Sequence, residues 1–450
     1  MRLVVELIRK KKLTPVQVLA IGFASIIFLG AVLLALPISS KSGESTPFLN
    51  CLFTSTSAVC VTGLVVVDTG TYWNYFGKTV IMLLIEAGGL GFMSFATLVS
   101  LILGKKITFK ERLVMQEALG TNTFGGLVRL TRYVLSFSFG IQFIGASLLA
   151  TQFIPAYGVL KGIYYSIFHA VSAFCNAGFD LLGNFDSLTK VYNNYIIVLT
   201  IAFLIIIGGI GFTVWAELYS FRRLKKLSLH TKLVLTITSA LIVIGAVLLF
   251  ILEYNNLQTI AKMTLPDKIL SSFFASVTPR TAGFNSISTS GMSHGGKFIT
   301  VILMFIGGSP GSTAGGVKTT TLGVLIFTVI SVVHGREDTE IFNKKIIKDI
   351  VYRAFAIIAA GLCIVACDVL ILSVTEKMAS LGAVLYEVTS AFGTVGLTLG
   401  LTPYLSIIGK IVIILTMYAG RVGPLTIAVA LAKNKKVTGI KYPEEKIMVG

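Results

Sequence analysis

The sequence predicts an all-α membrane protein built from four copies of one unit, and three observations support this fold class. Hydrophobic residues make up 54% of the 450-residue chain and charged residues only 13%, whereas soluble domains carry about 25% charged residues. Basic clusters alternate along the chain with segments that hold few cations. Four short, half-apolar segments share one pattern. Together these observations predict two membrane crossings and one re-entrant segment in each unit.

Eight stretches are apolar and long enough to cross a bilayer, which takes about 20 helical residues. They lie at 15–37, 76–103, 130–153, 194–219, 230–252, 297–333, 352–374 and 405–431. The first follows a basic start, as in a secretory signal, but it is longer than a typical signal core and no A-x-A site follows it. We therefore expect it to be retained as the first membrane helix.

The net charge of +18 is distributed in a way that argues against nucleic acid as a partner. Most of the 38 lysines and arginines fall in clusters at 2–12, 105–132, 222–232, 336–353 and 433–446. Cations concentrated in alternate loops are the positive-inside pattern of membrane proteins. Both termini are therefore expected in the cytoplasm, in agreement with an even number of crossings.

The four short segments align without a gap. They read FTSTSAVCVTG at 53–63, FHAVSAFCNAG at 168–178, FFASVTPRTAG at 273–283 and YEVTSAFGTVG at 386–396. An aromatic residue stands ten positions before every terminal glycine, and leucine or phenylalanine follows it. Each segment predicts a short helix, from the aromatic residue to about four residues before the glycine, and then a few extended residues. The repeats point the same way, which predicts pseudo-fourfold symmetry about an axis along the membrane normal.

The chain divides accordingly into four repeats and a tail. We assign repeat D1 to 1–110, D2 to 111–225, D3 to 226–345 and D4 to 346–433. Residues 434–450 form a predicted cytoplasmic tail. Each repeat carries one terminal glycine of the shared pattern, namely Gly63, Gly178, Gly283 and Gly396.

The extended residues are candidates for an ion-selective filter. Non-helical backbone at membrane depth is tolerated only where it lines water or is buried in protein. Four such segments around an axis would form a ring of carbonyl oxygens that can replace the hydration shell of K⁺, and the C-terminal ends of the short helices would favour a cation. No carboxylate ring is present, which argues against a divalent cation. The predicted filter residues, binding K⁺ through backbone carbonyls, are Val61, Thr62, Gly63, Asn176, Ala177, Gly178, Thr281, Ala282, Gly283, Thr394, Val395 and Gly396.

A glycine-rich element recurs in the span after each filter segment. It reads GGLGF from 88, GGIGF from 208, GGSPGSTAGG from 307 and AGRVGP from 419. The third copy is not a nucleotide-binding loop, because Val317 separates Gly316 from Lys318 where that motif needs Gly-Lys. Only this copy is expanded into a polar, flexible stretch, which favours a gate below the ion cavity over a kink that only aids helix packing. The predicted gate residues are Gly307, Gly308, Ser309, Pro310, Gly311, Ser312, Thr313, Ala314, Gly315 and Gly316, together with Arg421.

Arg421 lies deep in an apolar span, where an ionisable residue is a functional hypothesis by default. It is expected to repel ions in the pore or to donate to carbonyls of the gate loop. A structural ion pair, with Glu86 as its partner, is the alternative. Lys318 is a second candidate cation just past the loop. Arg280 is expected to reach outward or to pair with Asp68 or Asp180 at the pore mouth.

Catalytic and metal-binding patterns are not found in the sequence. None of the four histidines belongs to a Ser/His/Asp catalytic pattern, and the five cysteines do not have the spacing of metal ligands. Glu387 and His169, each one residue after the aromatic position, are interpreted as structural. We expect no enzymatic activity and no covalent cofactor.

Several motifs together resemble the Trk/Ktr/HKT superfamily of K⁺ translocators, and within it KtrB-type membrane subunits. They are VTGL at 61–64, NAGF at 176–179, TAGF at 281–284, TVGL at 394–397, PRTAGFNS at 279–286, LGLTP at 399–403 and RVGPLT at 421–426. The resemblance covers nearly the whole chain. It implies a multi-pass protein of a bacterial cytoplasmic membrane and a gate at 307–316 with Arg421. Some plant relatives with serine at the first filter glycine prefer Na⁺, so Gly63 favours K⁺.

The resemblance also implies partners. These are a second copy in a homodimer, membrane lipids and a cytosolic KtrA-type ring of nucleotide-binding RCK subunits. Basic loops at 104–112, 221–232 and 334–348, with the C-terminal tail, are candidate docking surfaces, although the positive-inside rule alone also explains them. The family implies dependence on Na⁺, at a site the sequence does not indicate. Two other functions stay open, a K⁺ symporter and the K⁺-binding subunit of an ATP-driven pump.

Overall fold

The computed structural model describes residues 14–91, 127–224 and 226–423, and the single residues 443, 445 and 448. The basic clusters at 2–12 and 433–446, most of the cluster at 105–132, the loop 104–112 and nearly all of the tail therefore lie outside the described residues. So do the far ends of the predicted spans 76–103 and 405–431.

The described residues are almost entirely helical. In chain order the helices are α1 Pro15–Ala35, α2 Phe48–Val59, α3 Thr69–Tyr72, α4 Tyr75–Gly89, α5 Leu127–Tyr157, α6 Val159–Phe174, α7 Tyr195–Ile210, α8 Phe212–Leu224, α9 Leu229–Glu253, α10 Leu265–Val277, α11 His294–Phe305, α12 Thr319–Val333, α13 Lys348–Thr375, α14 Leu381–Phe392 and α15 Ile407–Val422. Single 3₁₀ turns occur at Pro37–Ser39 and Thr402–Tyr404. Strands β1 Glu340–Ile341 and β2 Lys344–Lys345 form a small antiparallel hairpin.

Four helices in the described part of the chain are long and apolar enough to cross a membrane as single pieces. They lie at Gln17–Ala35, Thr131–Tyr157, Leu229–Glu253 and Lys348–Thr375, so each is the first span of one repeat. Large apolar side chains on these helices face outward, for example Phe143 at 74% exposure and Leu370 at 68%. Such exposed apolar surface is expected of helices that face lipid.

The four short helices α2, α6, α10 and α14 end where the sequence predicts but begin earlier. They start five to nine residues before the aromatic position. In D3 and D4 an upstream side chain caps the helix: Thr264 accepts from the N–H of Asp267 and Ser380 from that of Ala383. The aromatic side chain is fully buried in D1, D2 and D4. In D3 the neighbouring Phe274 takes the buried place and Phe273 is half-buried.

The second span is broken at the glycine-rich element in D2 and D3, the two repeats in which the structure describes both sides of that element. The break in D3 is the one that the sequence predicts, and the break in D2 is additional. Helix α7 ends at Ile210 and α8 continues at an angle of 96°. Between α11 and α12 lies the loop 307–316. A glycine with positive φ follows the helix end in three repeats, at Gly91, Gly211 and Gly423, and only glycine adopts such φ values at little cost. In D3, α11 already ends at Phe305 and the positive-φ Gly311 lies within the loop.

Candidate functional site: a glycine ring above a buried loop

The four filter segments share one unusual backbone shape. The terminal glycines have φ of 92°, 71°, 81° and 94°. Two residues earlier, Val61, Asn176, Thr281 and Thr394 have φ of 51°, 57°, 66° and 50°. Non-glycine residues in this region cost roughly 1–2 kcal/mol each, so the surrounding structure must hold all four in place.

Gly63, Gly178, Gly283 and Gly396 form a closed ring, which we call the glycine ring. A Cβ atom added to Gly63 would lie 2.5 Å from the carbonyl oxygen of Ala177, one on Gly178 would lie 2.6 Å from that of Ala282, and one on Gly283 would lie 2.5 Å from that of Val395. A Cβ on Gly396 would clash with the carbonyl oxygen of Thr62, which closes the circle. The predicted filter residues are therefore gathered around one axis in the order D1, D2, D3, D4.

The short helices hold these segments through hydroxyl side chains. In D1 the N–H of Gly63 donates to Ser57 Oγ, and in D4 the N–H of Gly396 donates to Ser390 Oγ, both at 3.0 Å. In D2 Ser172 Oγ donates instead to the carbonyl of Phe179 at 2.7 Å. D3 has Val277 at this position, and Thr278, one residue later, donates to the carbonyl of Phe284. The serine shared by three repeats thus fixes the filter backbone.

An acidic vestibule opens on one side of the ring. It is a cavity of about 480 Å³ whose wall includes all four ring glycines and the carboxylates of Asp68, Asp180 and Asp186. No lysine or arginine of the described residues lines it. Asp180 lies in a loop outside the spanning helices; burial and the carboxylate of Asp68 raise its pKa to about 7, although Leu182 N–H donates to it. The vestibule therefore attracts cations toward the ring.

The loop 307–316 lies on the opposite side of the ring. Its Gly316 approaches Gly393, which stands three residues before the ring glycine of D4, on the side away from the vestibule. The loop also contacts two other repeats: Ser309 N–H donates to Gly209 O at 2.9 Å, and Gly316 N–H donates to Gly420 O at 3.3 Å. Thr313 Oγ1 donates to Phe174 O, the last residue of α6, at 3.2 Å.

Arg421 lies between this loop and the first repeat. Its guanidinium donates to the carbonyls of Thr313 and Gly88, and at 3.3 Å to that of Gly89. Glu86 is not its ion-pair partner within the described residues, so that alternative is wrong. The Glu86 carboxylate instead accepts from Gln142 Nε2, at 2.9 and 3.2 Å, and from Cys175 Sγ at 3.4 Å.

Lys318 holds the same loop from its other end. Its ammonium group donates to Ala314 O at 2.7 Å and more weakly to Gly315 O at 3.4 Å. Three consecutive carbonyls, those of residues 313 to 315, are thus bonded by two cationic side chains. Sequence reasoning named Lys318 only as a nearby cation. Its spacing of three and four residues from those carbonyls is the signal that it closes a turn on the loop.

The remaining glycines of the repeated element have a packing role. A Cβ atom on Gly88, Gly208 or Gly420 would collide with the last carbonyl of the short helix in the same repeat. These glycines let each inner helix touch the end of its short helix. In D3, Gly307 instead meets Gly315 O, so there the close contact is made by the loop to itself.

The expectation for Arg280 is wrong. It pairs with neither Asp68 nor Asp180, and it does not reach the vestibule. Its side chain is 5% exposed and turns toward α9, where Nη2 donates to Thr238 Oγ1 at 3.4 Å.

Glu387 and His169 connect their short helices to the segments that follow the ring glycines. Glu387 accepts from the hydroxyls of Thr398, at 2.6 Å, and Thr402. His169 Nδ1 bonds to Tyr165 O at 2.7 Å and its Nε2 accepts from Leu181 N–H at 3.3 Å. Both side chains are fully buried, and these contacts agree with the structural interpretation.

The long apolar helices with exposed apolar faces, grouped around the glycine ring, define a membrane protein. The chain belongs to the family described as "TrkH: Cation transport protein", which it matches over residues 14–438. A family of membrane transporters confirms the predicted membrane location and the expectation that the chain is not an enzyme.

Individual relatives have names that are more specific than the description of the family. The chain is 48% identical to "Potassium/sodium uptake protein NtpJ" of Enterococcus hirae, over 98% of both chains. It is 46% identical to "Ktr system potassium uptake protein B" of Bacillus subtilis, over 99% of both. The crystal structure of the potassium transporter TrkH from Vibrio parahaemolyticus covers 93% of this chain and 84% of its own, with a TM-score of 0.71 and 18% identity. That likeness shows the fold.

Proposed function

We propose that the protein takes up K⁺ across the cytoplasmic membrane through the glycine ring. The observation that carries this proposal is the closed circle of carbonyl oxygens contributed by Thr62, Ala177, Ala282 and Val395. Carbonyl oxygens held at fixed spacing replace the water that a K⁺ ion loses. The names of the relatives, which describe potassium uptake, support the choice of ion.

The driving force is the membrane potential. An inside-negative potential contributes about 2.3 kcal/mol per charge for every 100 mV, so K⁺ can enter without ATP. The acidic vestibule raises the local K⁺ concentration outside the ring. None of the twelve proposed filter residues has a carboxylate side chain, and a monovalent ion that must leave quickly is better served by neutral carbonyls.

The loop 307–316 with Arg421 and Lys318 forms the gate. The loop crosses from D3 to D2 and D4, and its two cationic tethers lie on the inner side of the ring. A K⁺ ion leaving the ring meets two fixed positive charges and a buried loop. Opening requires the bonds of Arg421 to Thr313 and of Lys318 to Ala314 to break. The carbonyls they release are then free to bind the passing ion.

Regulation comes from a cytosolic partner. Three of the relatives are named as proteins of a Ktr system, which supports a multi-component system with a KtrA-type RCK ring; a homodimer of the membrane subunit is what the resemblance implies. The docking candidates within the described residues are 334–348, with its hairpin of β1 and β2, and 221–232 apart from residue 225. The name of the Enterococcus relative, which includes sodium, supports a role for Na⁺ in transport.

Flux into liposomes tests this function against its rivals. The purified protein is reconstituted and uptake of Rb⁺ tracer is driven by a K⁺ diffusion potential alone. We expect uptake that follows the potential and is competed by K⁺ more strongly than by Na⁺. Uptake that requires a stoichiometric Na⁺ or H⁺ gradient would instead identify a symporter, and no uptake without ATP and a second subunit would identify part of a pump.

A further inference from the structure

Arg280 breaks the fourfold pattern at a position that adjoins the glycine ring. The residue three places before each ring glycine is Cys60 in D1, Cys175 in D2 and Gly393 in D4. All three are small and uncharged. Only D3 places a cation there, and the neighbouring Thr281 belongs to the ring segment.

This cation is buried without a counter-charge. The Arg280 side chain is 5% exposed, its Nη2 has one long bond to Thr238 Oγ1, and its Nε lacks a hydrogen-bond partner. The three ion pairs found in the described part of the chain involve other residues. An uncompensated buried charge is costly, and its field acts over a longer distance here than in water.

The position of Arg280 relative to α10 gives this charge a specific effect. Helix α10 ends at Val277, and the Arg280 N–H donates to Val277 O at 3.2 Å. The C-terminal end of a helix carries a partial negative charge of about half a unit. In D1, D2 and D4 the residue at this position adds no charge to that end. In D3 the residue at this position carries a unit positive charge, which opposes the partial negative charge of the helix end.

We propose that Arg280 weakens K⁺ binding in the glycine ring, so that a bound ion is released fast enough for rapid uptake. The inference rests on the proposed K⁺ pathway. Conduction needs a site that binds the ion well enough to admit it and weakly enough to release it. One buried positive charge beside a ring of neutral carbonyls lowers the affinity for K⁺ without adding a ligand or changing the ring's geometry. Arg280 therefore acts through its charge and does not bind the ion.

The test compares charge-removing and charge-keeping variants in the liposome assay, with K⁺ affinity also measured on the purified protein by thermal stabilisation. Arg280→Cys introduces the residue that D1 and D2 carry. We expect the apparent KM for K⁺ to fall on the order of tenfold, because the repulsion between a buried unit charge and the bound ion is removed, with a maximal rate that is equal or lower. Arg280→Lys keeps the charge and should keep the KM within about twofold.

Thr238→Val is the structural control, because it removes the hydrogen-bond acceptor of Arg280 and leaves the charge. It should lower thermal stability without shifting the KM. Arg280→Met, which is neutral and long, replaces Arg280→Cys if the latter does not fold. An unchanged KM in the neutral variants contradicts the proposal, as does an equal shift in Arg280→Lys. A protein that folds only when residue 280 carries a positively charged side chain also contradicts it, since the residue is then structural. If wild-type flux itself is not K⁺-selective, the proposed function fails instead, independently of Arg280.

Discussion

The guanidinium of Arg421 donates to the carbonyl oxygen of Thr313, and the same side chain also bonds the carbonyls of Gly88 and Gly89. One residue of D4 thus connects the D3 loop to the inner helix of D1. Because Arg421 is only partly exposed and three backbone carbonyls accept from it, its contacts hold the loop in one position. The loop position therefore depends on three repeats at once.

Removing this tether should open the pathway. In Arg421→Ala, the loop loses its side-chain bond from D4 at Thr313 O and the axis loses a positive charge, so we expect Rb⁺ uptake by the purified protein to rise several-fold. Arg336→Ala is the matched control, because its ion pair with Glu340 is solvent-exposed and such pairs contribute little. Unchanged uptake in Arg421→Ala would remove the residue from the gate.

Lys318 should act on the same loop. Lys318→Met keeps the length of the side chain but loses the bonds to Ala314 O and Gly315 O, so uptake should again rise. Since Arg421 and Lys318 hold adjacent carbonyls, we expect the double variant with Arg421→Ala to deviate from the product of the single effects. Effects that multiply independently would show that the two cations hold separate elements.

Gly63→Ser should reduce discrimination between K⁺ and Na⁺. The new Cβ would lie 2.5 Å from Ala177 O, and the φ of 92° disfavours any side chain, so the ring must widen or tilt. Gly43→Ser is the matched control: Gly43 also has positive φ, at 75°, but nothing lies within 4 Å of an added Cβ. Competition by Na⁺ against Rb⁺ uptake measures the effect. Equal selectivity in both variants would count against the ring as the filter.

External pH should change the apparent KM for K⁺. Asp180 has a raised pKa of about 7, so it is charged above that pH and becomes neutral as the pH falls through it. Lowering the outside from about pH 8 to about pH 6 should therefore raise the apparent KM roughly twofold, because the vestibule loses one attracting charge. Asp180→Asn should show the raised KM at both pH values. A pH effect that persists in this variant would assign the titration to another group.

The ring was predictable because its determinants are local. An aromatic residue and a glycine at fixed spacing define each segment, a serine joins them in three, and in the structure Ser57 and Ser390 accept from the N–H of their own ring glycine. The 96° bend at Gly211 was not predictable from hydropathy, since apolar composition indicates which residues avoid water and not the direction in which a helix runs. The orientation of Arg280 could not be predicted either, because its position near Gly283 in the sequence does not determine on which side of the segment its side chain lies.

Locating a heavy analogue of K⁺ tests the central claim most directly. Crystals of the protein grown or soaked in Tl⁺ would be examined by anomalous diffraction. We predict a peak on the ring axis, within coordination distance of the carbonyl oxygens of Thr62, Ala177, Ala282 and Val395, and suppressed by excess K⁺ but not by equal Na⁺. Anomalous density confined to the acidic vestibule, with none between these carbonyls, would contradict the account.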